Sequence, residues 1–505
     1  MSTTAPTRGA FWTRIGLAAL GGLIAATAFP SLDLGITVFV GVILLLWLWR
    51  DASPLQAAAY GFAWGFAFFA VVLYWIYYFG AIAFIPLVSA LAAFTALAGW
   101  VVALLDRSGV RSVWITAAVW TLAEALRGHF PLFGGFPWAE IGVALHDFPP
   151  ARALARWGGV PLVTFAVVSA SGLVLHGALA LRAGALRRAA WCAGGLALVG
   201  VATAGAAVAM TAGPEAGELR FALLQGNDLN RELTRAELDQ QLLAANHFAL
   251  ADTLDGDYDL IVFPESAMDE DPEEDPYLAA EIARVAAEHD AFVLVNAPTP
   301  ASDGRDFNEN LLYAPDGRIV GRYAKQHLVP FGEYVPYRSL FGWIPALDQI
   351  PRDYEAGDEQ TIFDVDDVPI ASVICFENAF APLVRGAVRD GAEVLVVTTN
   401  NRSYRRSSNA AQHVALSQMR AAETGRPILH ASISGITAVV EEDGTVRTDS
   451  RLFVNGVTEG TITARSGSTP FVRYGDWALV ACGLLLLGAV VMVFKRRTEV
   501  RAEGP

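Results

Sequence analysis

Residues 373–378 read Val-Ile-Cys-Phe-Glu-Asn, the end of an apolar run that begins near Ile370. Such a run predicts a buried strand, and the change to polar residues predicts the loop that follows it. The chain has three cysteines, and Cys192 and Cys482 lie inside long apolar runs, where a thiol packs as a small hydrophobic group. Cys375 is therefore the thiol placed for chemistry, although a single cysteine at a strand end is more often a core residue than a nucleophile. Partners elsewhere in the chain decide between these two interpretations.

The composition indicates a membrane protein that also has a water-facing domain. Of the 505 residues, 54% are hydrophobic and only 17% are charged, which is more apolar than is usual for a soluble protein. The net charge of −15 is uneven, because the acidic residues concentrate between Glu215 and Asp476. No basic cluster favours nucleic-acid binding, and three unclustered cysteines provide neither a disulfide framework nor a zinc site.

Long apolar segments predict about eight membrane spans, seven of them in an N-terminal domain of residues 1–213. In chain order they are residues 15–31, 34–49, two helices within 51–106 that fold back near Tyr78-Phe79-Gly80, 112–126, 160–181, 189–210 and 477–494. The first segment also fits a signal peptide, but the spans that follow it favour a helix. Segment 112–126 is the weakest candidate, because Glu124 lies near its end.

Basic residues in the short loops predict the orientation. They all fall on one side of the predicted spans: Arg8, Arg14, Arg50, Arg107, Arg111, Arg182, Arg187, Arg188 and residues 495–497. By the positive-inside rule this side is cytoplasmic. Residues 214–474 then form a domain outside the membrane, 475–497 the last transmembrane helix, and 498–505 a cytoplasmic tail.

The outer connection of residues 127–157 contains the sequence Phe-Pro-Leu-Phe-Gly-Gly-Phe-Pro-Trp at positions 130–138. Aromatic residues beside glycine and proline at a membrane surface usually form an interfacial belt. The same residues also suit a lipid-facing wall of a site. The sequence leaves both interpretations open.

Strand and helix patterns alternate within residues 218–463, with helices predicted at 233–254, 276–289 and 410–424. This alternation predicts an α/β domain with a packed sheet. Glu265 follows a predicted strand, Lys325 follows a predicted hairpin, and Cys375 follows the strand described above. Strand exits at one sheet edge are where such domains usually gather their functional residues.

These three residue types together suit acyl transfer. A partly desolvated carboxylate can accept the thiol proton, a fixed ammonium favours both thiolate and oxyanion, and the cysteine can form an acyl-enzyme. The alternative is a surface Glu–Lys pair near an inert cysteine. The strand-end context of all three residues favours chemistry.

Three segments resemble the catalytic segments of the nitrilase superfamily: Phe263-Pro264-Glu265, residues 325–336 (Lys-Gln-His-Leu-Val-Pro-Phe-Gly-Glu-Tyr-Val-Pro) and Ile374-Cys375-Phe376-Glu377. The longest is similar in particular to the membrane branch of that superfamily, the apolipoprotein N-acyltransferases. The resemblance covers nearly the whole chain, including the Gly-Phe-Pro-Trp loop at 135–138. It implies a polytopic α-helical membrane domain and an extracytoplasmic αββα sandwich.

The resemblance also implies a Glu265, Lys325, Cys375 triad and a ping-pong acyl transfer that needs no cofactor or metal. A phospholipid would acylate Cys375, and the free amine of a diacylglyceryl-cysteine lipoprotein would accept the acyl group. Lys325 and the Phe376 N–H would stabilise the oxyanion. By position, Glu333 and Glu377 match further acidic residues of the family site, which orient Lys325 and its loop or serve as structural ion-pair partners. The implied protein is a monomer in a bacterial inner membrane.

One departure from the family pattern lies after the next strand. The family commonly has Thr/Ser-Asn-Asp-Ala-Trp-Phe there, whereas residues 399–404 read Thr-Asn-Asn-Arg-Ser-Tyr. An aromatic residue is missing at Ser403, which puts the acyl-pocket wall in doubt. Arg402, Arg405 and Arg406 add positive charge that suits either a solvated loop or a phosphate contact.

Two other function classes compete with acyl transfer. A membrane-tethered amidase would use the same triad on a small amide, with water as the second nucleophile. A transporter or structural membrane protein would not need Cys375, and its spans would carry more ionisable groups than Glu124 and His176.

Overall fold

The computed structural model describes residues 8–130, 135–227, 241–301, 304–341 and 353–502. Residues 131–134 of the predicted outer connection and the first part of the predicted helix 233–254 lie outside these ranges. The chain divides into two compact units. The first unit contains the described residues up to Phe130, then Gly135–Met210, and then the chain from Tyr474 onward. The second unit contains Thr211–Arg473.

The first unit is helical throughout. Its helices are α1 (Arg8–Ala26), α2 (Thr37–Trp49), α3 (Pro54–Val72), α4 (Ala81–Arg107), α5 (Val113–Gly128), α6 (Pro149–Arg182), α7 (Leu186–Val208) and a C-terminal helix (Trp477–Ala502). Within the described ranges, six of them are long and apolar enough to cross a membrane. The other two, α2 with 13 residues and α5 with 16, are shorter. A polytopic helical domain is therefore confirmed, and eight spans stay a prediction.

Local sequence explains where these helices start and how closely they pack. Ser53 and Gln56 form a capping box at the start of α3. Helices α3 and α4 approach closely at Gly61, where a Cβ would lie 2.5 Å from the Thr95 carbonyl oxygen. Between α3 and α4 the chain forms a 3₁₀ turn, Tyr74–Phe79, at the predicted fold-back.

Two ionisable residues of α5 hold the connection that follows it. Nη1 of Arg127 donates to the carbonyl oxygens of Phe136 and Trp138, at 2.6 Å each. The Glu124 carboxylate accepts hydrogen bonds from the backbone N–H of Ile141 and the hydroxyl of Thr164. Trp138 is buried, so its ring packs against protein, and the two interpretations of this aromatic connection stay predictions.

The second unit contains two mixed β-sheets. The first has strands β1 (Glu215–Gln225), β2 (Leu260–Val262), β3 (Phe292–Pro300), β4 (Asp306–Tyr313), β5 (Ile319–Ala324), β6 (Tyr354–Glu355) and β13 (Gly456–Arg465). The second has β7 (Ile362–Val365), β8 (Val368–Ile374), β9 (Val394–Thr399), β10 (Ile428–Ser432), β11 (Ala438–Val440) and β12 (Val446–Asp449). The strand orders are β13-β1-β2-β3-β4-β5, with β6 beside β4, and β12-β11-β10-β9-β8-β7.

The two sheets pack face to face, and helices cover their outer faces. Apolar residues that alternate along each strand explain this layering, because alternate side chains point to opposite faces. In β1, Phe221 and Leu223 face the second sheet, whereas Ala222 and Leu224 pack under α8 (Leu242–Ala251) and α9 (Pro276–Glu288).

The outer face of the second sheet is covered by α11 (Ala381–Arg389) and α12 (Asn409–Thr424). Short helices α10 (Arg338–Phe341) and α13 (Pro470–Tyr474) complete the unit. The predicted αββα sandwich is confirmed. Strands β1, β2 and β3 run parallel, as do β8, β9 and β10, so the carboxyl ends of the central strands are grouped.

Candidate active site

The three residues predicted to act together lie beyond the carboxyl ends of three strands. Glu265 follows β2 in the first sheet, Lys325 comes directly after β5, and Cys375 comes directly after β8 in the second sheet. Strands β2 and β8 are buried on both faces, whereas β5 is an edge strand whose Tyr323 packs into the core between the sheets. The fold brings a carboxylate, an ammonium and a thiol together.

Lys325 is the centre of the charged cluster. Its Nζ lies 2.8 Å from Oε1 of Glu333 and 3.1 Å from Oε1 of Glu265, and the lysine is 1% exposed. Burial alone would lower the pKa of Lys325, but the carboxylates of Glu265 and Glu333 outweigh it and raise the pKa well above its ordinary value. The ammonium therefore keeps its charge at neutral pH.

The Glu265 carboxylate is held through both of its oxygens. Oε1 accepts from Lys325 Nζ and, at 2.9 Å, from Nδ2 of Asn308. Oε2 accepts the backbone N–H of Asn400 at 2.7 Å. These three donors satisfy the oxygens of a side chain in a residue that is only 5% exposed.

Asn308 joins the two carboxylates that flank the lysine, and sequence reasoning did not identify it. Its Nδ2 lies 2.9 Å from Oε1 of Glu265 and 2.9 Å from Oε1 of Glu333. Its side-chain oxygen accepts from Nδ2 of Asn296 at 2.8 Å, and Asn296 also donates to Asn310. The available signal was Asn-Glu-Asn at 308–310, polar residues in the middle of a hairpin strand.

Cys375 occupies a strained turn at the end of β8. Its φ of +53° lies in the left-handed region, and it begins the 3₁₀ turn Cys375–Ala379. Burial raises the pKa of its thiol to about 12, with a further increase from the Glu265 charge, against opposing effects of Lys325 and a hydrogen bond to Thr399. At neutral pH the sulfur is a thiol, so it needs a base before it can act as a nucleophile.

Glu377 ties the turn of Cys375 to the segment that follows Lys325. Its Oε1 accepts the backbone N–H groups of Gln326 at 2.6 Å and His327 at 3.0 Å. Its Oε2 accepts the Ile374 N–H at 2.7 Å and the Tyr323 hydroxyl at 3.0 Å. Burial raises its pKa to about 7 against the lowering effect of these hydrogen bonds. Glu333, by contrast, contacts the charged cluster itself, through Lys325 and Asn308.

The segment after β9 lies beside the same cluster. Ser403 is exposed, and the next residue, Tyr404, is close enough for the charges of Cys375, Lys325 and Glu265 to act on its phenol. Burial is the main reason that the pKa of Tyr404 is raised. The Arg406 guanidinium lies 5.2 Å from the centre of the Phe453 ring. Tyr404 therefore supplies an aromatic ring next to the position where Ser403 lacks one.

Comparisons with known proteins cover both units. Residues 21–173 match the apolipoprotein N-acyltransferase N-terminal domain, and residues 220–471 match the carbon-nitrogen hydrolase domain. The chain is 32% identical to the apolipoprotein N-acyltransferase of Methylococcus capsulatus over 498 residues, which cover 95% of this chain and 96% of that protein. It is also 32% identical to that of Nitrosomonas europaea over 509 residues, 96% of this chain and 97% of that protein.

Solved structures match the second half of the chain. A CN-hydrolase superfamily protein from Xanthomonas campestris has a TM-score of 0.40 at 21% identity and covers 53% of this chain and 97% of its own. A variant of the amidase from Nesterenkonia sp. AN1 has a TM-score of 0.37 at 16% identity, covering 52% of this chain and 98% of its own.

Proposed function

This chain belongs to the apolipoprotein N-acyltransferase family, and we propose that it moves a fatty acyl group from a phospholipid to the N-terminal amine of a lipoprotein through a thioester on Cys375. Relatives of that name match it over nearly its full length. It is accordingly an acyltransferase with a carbon-nitrogen hydrolase domain, and its substrates are phospholipid and lipoprotein. These matches do not favour the alternative function, a membrane-tethered amidase, over acyl transfer.

The proposed roles of the individual residues rest on one observation. The Lys325 ammonium lies between two carboxylates and acts on the Cys375 thiol. A buried ammonium fixed by Glu265 and Glu333 cannot turn away, so its charge is available where an oxyanion develops. Lys325 is the cation that lowers the pKa of the Cys375 thiol.

In the first half-reaction Glu265 accepts the proton of Cys375, and the sulfur attacks the ester carbonyl of a phospholipid. Lys325 and the Phe376 N–H stabilise the negative charge on the carbonyl oxygen. The C–O bond then breaks, and protonated Glu265 returns its proton to the leaving alkoxide. The products are an S-acyl Cys375 and a lysophospholipid.

In the second half-reaction the amine of the diacylglyceryl-cysteine attacks the thioester carbonyl. Glu265 accepts a proton from the attacking amine, and the C–S bond breaks to release the Cys375 sulfur. The proton held by Glu265 returns to that sulfur and restores the thiol. The net change is one acyl group moved from oxygen to nitrogen, with no cofactor.

The remaining acidic residues act through other groups. Glu333 holds Lys325 and, through Asn308, fixes the distance of that lysine from Glu265. Glu377 accepts four hydrogen bonds from the two segments around the site and keeps them together. Both are positioning residues in this proposal.

The chain is a multi-pass membrane protein of a bacterial family. We place it in the inner membrane, with the catalytic unit on the extracytoplasmic face, because the basic residues of the short loops fall on the opposite side. The three reactive groups come from one chain, which supports activity as a monomer. Nucleic acid has no part in the reaction, and the net charge of −15 agrees with that.

Intact mass of the purified protein after incubation with phospholipid tests the proposal. Wild type should gain the mass of one acyl chain, and hydroxylamine should remove it. Cys375→Ala should gain nothing, whereas the matched control Cys482→Ala, which removes a buried thiol of the first unit, should be acylated like wild type. A diacylglyceryl peptide should then take the label from the protein.

Two results would overturn the proposal. Acylation of Cys375→Ala would exclude the thioester on that residue. Absence of any adduct, together with hydrolysis of a small amide by the wild type, would replace acyl transfer with the tethered amidase.

A further inference from the structure

Thr399 interacts with both the Cys375 thiol and the ring of His413. Parallel pairing of β8 with β9 places Ile374 opposite Thr398, so Cys375 and Thr399 leave the two strands side by side. The Thr399 side chain acts on the Cys375 thiol as a hydrogen-bond partner that lowers its pKa, and Oγ1 of Thr399 lies 3.3 Å from Nδ1 of His413. Thr399 and His413 are both fully buried. One hydroxyl therefore has two possible partners.

The protonation of His413 fixes what each ring nitrogen can do. Burial lowers the pKa of His413 to about 4, so the ring is neutral and carries one N–H. Nε2 lies 3.0 Å from the Cys375 carbonyl oxygen, which can only accept, so the proton is on Nε2. Nδ1 is then an acceptor. Two donors face it, Thr399 Oγ1 at 3.3 Å and Asn401 Nδ2 at 3.5 Å.

We propose that Thr399 is a catalytic residue whose hydroxyl donates to the Cys375 sulfur whenever that sulfur is negatively charged, and to His413 otherwise. In the thiol state the hydroxyl proton points to Nδ1 of His413, and the oxygen can accept the S–H. In the thiolate state the O–H turns to the sulfur. The amide of Asn401 then satisfies Nδ1, so no buried acceptor is left without a donor.

The proposal rests on Cys375 being the nucleophile and adds no chemical step to the reaction. The thiol proton still goes to Glu265, and only a rotation about the Thr399 C–O bond accompanies it. When the S–C bond to the acyl group forms, the sulfur loses its charge and the hydroxyl returns to His413. It turns again when the amine attacks and the C–S bond breaks. Thr399 therefore acts in both half-reactions.

Other charged or titratable groups also act on the sulfur. Within the described part of the chain they are Glu265, Lys325, Glu333 and Tyr404, and His413 bonds to the Cys375 carbonyl oxygen. A Thr399→Val substitution leaves all of them in place and removes only the hydroxyl. A change in thiol reactivity in that variant therefore reports the hydroxyl.

The test compares Thr399→Val, Thr399→Ser and the control Thr424→Val in full-length protein. Thr424 is equally buried, but its hydroxyl donates to the Arg420 carbonyl oxygen of its own helix, at 2.7 Å. Two rates are measured on each protein: single-turnover formation of the thioester from phospholipid, and alkylation of Cys375 by iodoacetamide between about pH 7 and about pH 10. Thermal unfolding shows which variants are folded, and Thr399→Ala takes the place of Thr399→Val if that variant does not fold.

Thr399→Val should form the thioester about 10- to 100-fold more slowly, the usual effect of one hydrogen bond to a charged group. Its alkylation should also be slower at every pH. Thr399→Ser should recover most of both rates, and Thr424→Val should match wild type. Equal rates for Thr399→Val and wild type, or a serine variant as slow as the valine variant, would overturn the assignment. If wild type forms no thioester, the proposed function fails, and the alkylation rates still decide the role of Thr399.

Discussion

Nζ of Lys325 lies 3.1 Å from Oε1 of Glu265, and the two side chains are only 1% and 7% exposed. Two opposite charges this well buried persist only because each is paired and hydrogen-bonded. The pair gives the site a fixed cation and, in the proposed reaction, a carboxylate base, while the neighbouring thiol stays protonated. Because Glu265 is both a negative charge near the thiol and the proposed base, we expect its substitution to affect alkylation and acyl transfer in opposite directions.

Glu265→Gln should make Cys375 easier to alkylate and at the same time abolish acyl transfer. Burial is the main reason that the thiol pKa is about 12, and the Glu265 charge raises it further. Removing that charge should therefore lower the thiol pKa and increase the fraction of thiolate at any pH below about 12. Each unit by which the pKa falls increases the thiolate about tenfold. Iodoacetamide labelling should therefore accelerate, and wild-type labelling should rise with pH through the neutral range without a plateau.

Thioester formation from phospholipid by Glu265→Gln should fall below detection, because the base is gone. Slower labelling in Glu265→Gln would contradict the charge distribution described here.

Asn308→Ala should reduce thioester formation about 100-fold, because small displacements of catalytic groups have effects of that size. Without the amide, the carboxylates of Glu265 and Glu333 are no longer joined on one side of Lys325. The measurement is single-turnover acylation followed by intact mass. Asn246→Ala, which removes an amide whose contact with the Asn227 carbonyl oxygen is 3.5 Å long, is the matched control and should behave like wild type. Full activity in Asn308→Ala would show that the lysine alone holds the two carboxylates.

Glu377→Gln should lower the free energy of unfolding by about 1–3 kcal/mol, the usual cost of a buried donor left without an acceptor. The glutamine amide must face at least one of the N–H groups of Gln326, His327 and Ile374 that now donate to a carboxylate oxygen. Acyl transfer by the folded variant should decrease without being lost. Chemical denaturation gives the stability, and Glu281→Gln, at a half-buried glutamate of α9 that is paired with Arg284, serves as control. Complete loss of acylation at unchanged stability would instead make Glu377 a proton carrier.

The sequence predicted that Glu265, Lys325 and Cys375 come together, because each follows a strand whose pattern is visible locally. It also predicted the helix that starts at Pro276, where the Asp275 side chain accepts the N–H groups of Tyr277 and Leu278. Asn308 could not be found in this way, since its importance depends on how Glu265 and Glu333 meet in space. The same holds for Thr399 and His413, which reach Cys375 from β9 and α12.

Short elements were missed for a different reason. Strand β7 has four residues and α11 has nine, too few for a periodic pattern to be distinguished from a loop. In the first unit the predicted segment 34–49 is longer than α2, because the chain forms turns up to Ile36 and the helix begins only at Thr37. Apolar composition continues across that turn, so hydropathy alone could not locate the helix start.

His146 should stabilise the first unit in a pH-dependent manner. Its Nε2 lies 3.1 Å from Oδ1 of Asp33 and its Nδ1 lies 3.4 Å from Oδ1 of Asp147. A carboxylate at each ring nitrogen suits a doubly protonated imidazolium, whereas a metal ion would take only one of the nitrogens. Burial alone would lower the pKa of His146, but hydrogen bonds to Asp147 and Asp33 outweigh it and raise the pKa to about 9.

Because the folded-state pKa is raised, the stabilisation is fully present below about pH 6.5, the value for an unfolded chain, and is lost as the pH rises through about 9. Its size should be at most about 1 kcal/mol, since water reaches both carboxylates. Thermal unfolding of wild type and His146→Gln in detergent, followed from acidic to alkaline pH, measures it. The difference between the two midpoints should be largest at about pH 6 and vanish at alkaline pH. Titrating groups that do not contact His146 cancel, because both proteins contain them. A difference that persists at alkaline pH, or that EDTA removes, would show that a neutral contact or a metal ion holds this segment instead of an ion pair.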